Sequence, residues 1–345
     1  MNQKVTCLAL SAIFALCFFT VWFFPQCSLL LAPCSSAWAQ QTRKIFRIGY
    51  LDPSTASGSA ALLEAFRQEL SKFGWNEGKN ITIEYRFADQ NSEGLPELAA
   101  ELVHLKVDLI VVSGAPPALA AKKATTTIPI VMTNVADPVA AGLIGSLARP
   151  GGNVTGLSSL GSGLNTKRLE VLKDVIPKLA RVGVLWLGAS ISQDLQLKEL
   201  RPAAMALKLK LEEIETQFDD LKGLEGAFRT AKQKQVGAFM TTASRVFFAE
   251  RKHIVELAGK YRLPAIYQAK QFVEAGGLMS YGGDSTDLYR RAAGYVDKIL
   301  KGAKPADLPV QQATKFEFVI NLKAAKEIGL TIPVDLLQRA NKVIK

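Results

Sequence analysis

Beyond residue 34 the chain has no cysteine: Cys7, Cys17, Cys27 and Cys34 all fall within the first 39 residues. A disulfide framework, a thiolate nucleophile and a cysteine-ligated metal are therefore excluded from everything downstream. Histidine is scarce as well, with only His104 and His253 in 345 residues. Both lie in helix-patterned segments, far apart and without clustered partners, so they mark neither a metal site nor an imidazole base. There is no Walker A loop, no His-Glu-x-x-His pair and no Gly-x-Ser-x-Gly elbow, and Gly161-x-Gly163 lacks the third glycine of a dinucleotide fingerprint. No spacing singles out a pair of carboxylates for acid–base work. The expectation is a protein with no catalytic residues, no metal and no cofactor.

What is present begins with the leader. A short basic start at residues 1–4 precedes an apolar run over 5–24, and Ala37-Trp38-Ala39 offers the small-x-small pattern of a signal-peptidase site. Residues 1–39 are read as a signal peptide cleaved before Gln40, which places the rest in the periplasm. Two alternatives stay open. The run is long enough to span a hydrocarbon core of about 30 Å if left uncut. Leu31-Ala32-Pro33-Cys34 also offers Cys34 for acylation, although proline stands where a small residue is usual.

Cleavage leaves roughly 300 residues, enough for two domains of about 150. The net charge is +11, and the leader contributes only Lys4 to it. Lys and Arg are scattered rather than gathered in a stripe, which fits a solvated basic surface and gives no sign of nucleic-acid binding. An effector-binding core of a transcriptional regulator would need an N-terminal helix-turn-helix, and an apolar leader stands there instead.

After Lys44 strands and helices alternate with short links, the pattern of parallel βαβ units. Strands are expected at 45–51, 81–87, 107–112 and 128–134, with helices at 59–73, 95–105 and 117–124. Arg149-Pro150-Gly151-Gly152-Asn153 interrupts with strong turn chemistry. The alternation then restarts: helix 165–176, strand 181–187, helix 193–207, strand 210–216, helix 221–235, strand 236–241, helix 247–261 and strand 264–267. A second glycine-rich break covers 276–283, a helix follows, and a third link through Leu308-Pro309-Val310 leads to a strand at 316–320. The fold class is α/β, with two Rossmann-like doubly wound lobes joined by three crossovers. The expected division is 44–153 plus 282–310 for the first lobe and 154–281 plus 311–345 for the second.

Several segments resemble a known family. Ile128-Pro129-Ile130-Val131, Asp137-Pro138-Val139-Ala140-Ala141-Gly142-Leu143 and Arg149-Pro150-Gly151-Gly152-Asn153-Val154-Thr155-Gly156 are similar to the central signature of the TrpX-type ABC-transporter substrate-binding proteins. Gly277-Leu278-Met279-Ser280-Tyr281-Gly282, Leu308-Pro309-Val310, Ile320-Asn321-Leu322-Lys323-Ala324-Ala325 and Gly329-Leu330-Thr331-Ile332-Pro333 continue it in order, so that the resemblance runs from about Phe46 to Lys345. It implies a type I periplasmic-binding-protein fold that traps a small ligand between the lobes, with ABC permease subunits as partners. Some members bind aromatic amino acids. A sensor subunit of a signalling complex and a secreted enzyme are the rival functions.

Ligands of doubly wound lobes sit at the carboxyl ends of the strands. In the first lobe this nominates Asp52, Ser54 and Ser57, with helix capping by Ser57 or Ser59 as the rival role. It also nominates Ser113 and Gly114 after the third strand. Asp137 is either a partner for a ligand ammonium or, before Pro138, a turn former. In the second lobe the candidates are Trp186, Thr242, Ser244, Tyr267, Tyr281 and Asp284, with core packing as the rival role for the tyrosines and helix capping for Asp284.

Overall fold

The computed structural model describes residues 44–89, 91–188, 191–216 and 221–345. The leader, with its cleavage site before Gln40 and with Cys34, lies outside them. Among the described residues the strands are β1 (Phe46–Asp52), β2 (Ile81–Phe87), β3 (Leu109–Ser113), β4 (Ile130–Val135), β5 (Val154–Ser158), β6 (Arg181–Leu187), β7 (Lys210–Thr216), β8 (Ala238–Thr241), β9 (Ala265–Tyr267), β10 (Met279–Gly283), β11 (Gln311–Gln312), β12 (Phe316–Asn321) and β13 (Lys342–Ile344). The central ones are uninterrupted apolar runs: all five residues of β3 and all four of β8 are buried. Such strands need cover on both faces, which the intervening helices supply.

The strands form two sheets, in the orders β11-β5-β4-β3-β1-β2 and β13-β12-β10-β9-β8-β6-β7. Within each, the first five strands of the lobe repeat one order, second-first-third-fourth-fifth, and all pair in parallel. This is the doubly wound arrangement, built twice. Among the described residues the single antiparallel pairing of strands, β10 with β12, arises because β12 enters the second sheet from the far lobe.

The two sheets are joined three times. The chain leaves β5 of the first sheet for helix Gly161–Val175, which packs on β10 of the second. It returns from β10 into helix Ser285–Leu300, which packs on helix Ala56–Lys72 and on β4. It crosses again between β11 and β12. The division therefore differs from that expected at three places. Residues 311–312, expected in the second lobe, pair with β5 in the first sheet. Residues 154–158 belong to the first sheet, because β5 pairs with β4 and not with any strand of the second lobe. Residues 279–283 are a strand and not a break. The glycines there serve close approach, since a Cβ at Gly282 would lie 1.9 Å from the Gln268 carbonyl oxygen.

The first lobe's core is laid down on both sides of its sheet. Ile48, Tyr50, Val111 and Val131 pack under helix Ala56–Lys72 through Leu62, Phe66 and Leu70, while Ile110, Val112 and Met132 face the helices that follow β2 and β3. Full burial of each such aliphatic or aromatic side chain contributes about 1.5–3 kcal/mol. A rigid sheet in each lobe thus fixes the loops at its carboxyl end.

Candidate functional site

Residues 44–345 form one compact unit, and between the carboxyl ends of its two sheets lies a cavity of about 1070 Å³. Pro53, Gly114 and Asn134 line it from the first lobe, and Thr216, Ser244 and Gln268 from the second. Two arginines of the second lobe dominate its chemistry.

Arg245 follows β8 and opens the short helix Arg245–Ala249, whose N-cap is Ser244, accepting from the Val246 N–H at 3.2 Å. Its side chain crosses to the first lobe. Nη2 donates to Asp52 Oδ2 at 3.1 Å and to Ser59 Oγ at 3.0 Å, in an ion pair whose side chains are 5% and 0% exposed. Asp52 also accepts from Tyr50 Oη at 2.8 Å, Ser54 N at 2.9 Å and Ser59 Oγ at 2.9 Å. Burial pulls the guanidinium's pKa down, but the Asp52 charge, followed by Tyr289 and Tyr50, raises it above its ordinary value, so the group is always a cation. Burial first, and Asp52 second, push Tyr50 well above the usual phenol range, so it stays a donor. Gly114 makes room for the crossing: its φ is +89°, and a Cβ would meet Arg245 Cγ at 3.3 Å. Nε and Nη1 of Arg245 are buried without an acceptor.

Arg168 projects from helix Gly161–Val175 and is 1% exposed. Nε donates to the Tyr281 carbonyl at 2.7 Å and Nη1 to Asn165 Oδ1 at 2.5 Å. Asn165 is held in turn by Gln196 at 3.2 Å, and Gln196 donates to the Ala243 carbonyl at 3.0 Å. Among the described residues no carboxylate pairs with Arg168, and burial pulls its pKa down to about 9. It remains charged at neutral pH, a desolvated cation facing the cleft with no counter-ion among the described residues. Between the arginines, Gln268 accepts from Thr241 Oγ1 at 2.7 Å and leaves Nε2 buried without an acceptor. The interior of the cavity is thus short of acceptors, which a ligand must bring.

Of the twelve residues nominated from sequence, Gly114 and Ser244 line this cavity. Asp52 acts at it through Arg245. Ser54 and Ser113 are fully buried behind it, and Ser113 Oγ bonds Tyr289 Oη at 2.5 Å. Thr242 donates to the Leu185 carbonyl and to Gln193 Oε1. Ser57 is exposed beside Thr55, and it is Thr55 that caps the helix by accepting from the Gly58 N–H at 3.1 Å. Trp186 packs against the second lobe's core, Tyr267 stacks on Phe272 with ring centroids 4.6 Å apart, and Tyr281 meets Phe318 edge-on. Asp284 caps helix Ser285–Leu300 through the Thr286 N–H at 2.9 Å and pairs with Lys270 at 3.4 Å.

Asp137 Oδ1 accepts from the Val139 and Ala140 N–H groups at 3.1 and 2.9 Å, an Asx turn away from the cavity lining. Asp137→Asn, which keeps that acceptor, is expected to leave ligand affinity and melting temperature unchanged. Asp137→Ala should lower stability by about 1 kcal/mol without touching affinity. A tenfold weaker Kd for Asp137→Asn in a calorimetric titration would return Asp137 to the site.

The sequence reading missed Arg168, Arg245 and Gln268. Arg168 did leave a trace: it shares a helix face with Leu172 and Val175, at spacings of four and seven, so an arginine stands in a stripe of core positions.

Comparison with known proteins agrees with this architecture. The family model described as ABC transporter substrate binding protein matches residues 56–344. A tyrosine-binding protein of Clostridioides difficile (strain R20291) is 29% identical over 267 residues, covering 77% of this chain and 76% of its own. The structure of an ABC domain in complex with L-Trp from Streptococcus pneumonia superposes with a TM-score of 0.77 at 26% identity, over 86% of this chain and 100% of that one. A ligand-free, open structure of a substrate-binding protein with adhesive properties from Clostridium difficile, also 26% identical, gives 0.61 over 87% of this chain and 99% of that one.

Proposed function

The chain belongs to the family of ABC transporter substrate-binding proteins, and from that premise we propose that it is an extracytoplasmic solute receptor that closes two lobes around a carboxylate-bearing amino acid and delivers it to an ABC permease. The observation that carries the ligand class is Arg168, a buried cation on the cleft with no carboxylate partner among the described residues. A carboxylate from solution would supply the missing charge and accept the planar pair of N–H bonds that a guanidinium offers. The relatives support an amino acid, since one is described as tyrosine-binding and another holds L-Trp. At equal identity the chain is more like the ligand-holding structure than the open one, which supports a closed arrangement of the lobes as the binding state.

In this reading the lobes move as bodies, 44–158 with helix Ser285–Leu300 and β11 against the remainder, about the three crossovers. Among the described residues no pair at the cleft is arranged as a nucleophile and its base, which supports reversible binding with the solute released unchanged. Among the described residues no helix is long and apolar enough to cross a membrane. The leader supports export and cleavage before Gln40.

Protein recovered from the periplasm should begin at Gln40 and bind one equivalent of an amino acid in a calorimetric titration across the standard set. Its melting temperature should rise with ligand concentration, because only the folded form binds. No heat and no thermal shift from any amino acid, or recovery of a chemically altered one, would contradict the reading.

A further inference from the structure

We propose that the solute carries two carboxylate groups, as in an acidic amino acid or a small dicarboxylate, and that it is not aromatic. This rests on the solute-receptor reading above and narrows it.

Among the described residues at the cleft, the unmet donors belong to Arg245 and Gln268, and the unpaired charge to Arg168. Arg245 follows β8, Gln268 follows β9, and Arg168 is tied to the carbonyl of Tyr281 in β10. In the second sheet these strands are consecutive, so the outer two lie two strand spacings apart, about 10 Å. Moreover, Arg245 reaches away from that sheet to Asp52 of the first lobe, whereas Arg168 stays on β10. The two oxygens of one carboxylate are too close together to satisfy both guanidiniums. A ligand with one anionic end would answer Arg168 and leave Arg245, whose charge is met by Asp52, with Nε–H and Nη1–H buried and without acceptors, at the cost of two unmet buried donors. Two anionic ends answer both, and the Gln268 amide lies between them.

The rest of the lining agrees. Its carboxylates, Asp89, Glu93 and Glu215, are all exposed, so their negative charge sits at the mouth, and Asp52, buried beneath Arg245, offsets one of the two interior cations and leaves Arg168 unbalanced among the described residues. An acidic amino acid can turn its ammonium toward that mouth. Aromatic recognition, by contrast, has no platform. Phe248 is the one aromatic side chain in the described lining, and its ring already carries two guanidiniums, Arg245 at 4.9 Å and Arg251 at 5.0 Å from the centroid. Tyr267 and Tyr281, whose rings could have served, are turned into core contacts with Phe272 and Phe318.

The test is a calorimetric titration of the exported protein with L-glutamate, L-aspartate, succinate and glutarate against L-leucine, L-tyrosine and L-tryptophan. At least one compound with two carboxylates should bind 100-fold or more tightly than any of the last three. Arg168→Gln and Arg245→Lys, each checked for folding by its melting curve, should both weaken that compound by tenfold or more. Tighter binding of tyrosine, tryptophan or leucine would overturn the two-carboxylate proposal while leaving an amino-acid receptor in place. A two-carboxylate ligand indifferent to one of the arginines would overturn it as well. Binding of none of the seven would sink the proposal, and the full amino-acid set would then decide the broader reading.

Discussion

Asp52→Asn is expected to weaken solute binding about 100-fold or more and to shift the free protein toward an open form. The substitution keeps the shape of the side chain and most of its hydrogen bonds. It removes the charge that faces Arg245, whose guanidinium is 5% exposed and comes from the opposite lobe. Breaking a buried pair by removing one partner costs about 3–5 kcal/mol, because the other charge is left without compensation. The strain has an outlet short of unfolding, since opening the lobes returns Arg245 to water. Most of the cost therefore falls on the closing equilibrium, and apparent affinity declines with the closed fraction at tenfold for each 1.4 kcal/mol. Adding Arg245→Met to Asp52→Asn removes the stranded charge and should restore closure, though not affinity. Small-angle scattering of the single and double variants checks this: an unchanged radius of gyration in Asp52→Asn, with unchanged Kd, would show that the pair does not hold the lobes together.

Arg168→Gln should cost at least as much affinity, for a different reason. Here the partner of the buried charge is the solute itself, and truncating one member of a buried hydrogen-bonded charge pair costs about 2–5 kcal/mol, or roughly 30-fold upward. The loss should fall on the dissociation rate, with closure of the free protein unaffected, which separates this variant from Asp52→Asn. Its pH dependence has a definite sign. The folded-state pKa of Arg168 is depressed to about 9 by burial. Below that value the cation is complete and affinity for an anion should be flat from pH 6 to 8. As pH rises through about 9 the charge is lost and wild-type affinity should fall, whereas Arg168→Gln should not follow. For stability the sign is opposite: the unfolded chain, with the ordinary and higher arginine pKa, holds more protons than the folded one in this range, so the wild type should gain stability relative to the variant as pH climbs above 9. Parallel titrations and melting curves at pH 7, 8, 9 and 10 read both slopes.

The fold was legible where one physical signal acted alone. Residues 81–87, 181–187 and 210–216 are strands with the bounds that their apolar runs and flanking turns indicate. Where signals conflicted the reading failed. β5 is short, contains Gly156 and follows a strong turn, so its residues read as the start of the second lobe and not as a strand of the first sheet. In β10, glycines demanded by the Gln268 carbonyl looked like a loop. Pairing partners decide both cases, and these are not local properties of the chain.

The site was legible in position and not in chemistry. The rule that loops at carboxyl ends of strands bind ligands led to Gly114 and Ser244, which do line the cavity. It also favoured hydroxyls, carboxylates and rings, groups that fold inward to cap helices, close turns or fill the core, as Asp137, Asp284 and Tyr267 do. The arginines were passed over because arginine is mostly a surface residue. Only the packing of helix Gly161–Val175, and the reach of Arg245 into the other lobe, turn them into a binding site.

The central claim is that the cleft captures a small solute and returns it unchanged. Native mass spectrometry tests it most directly: the mature protein, exposed to a bacterial small-metabolite extract and freed of unbound material, is weighed intact, and the bound species is then identified after denaturation. The account predicts a single 1:1 complex whose ligand carries a carboxylate, matches a compound already in the extract, and is lost from Arg168→Gln. A protein that emerges bare, or one that releases a compound the extract did not contain, would contradict it.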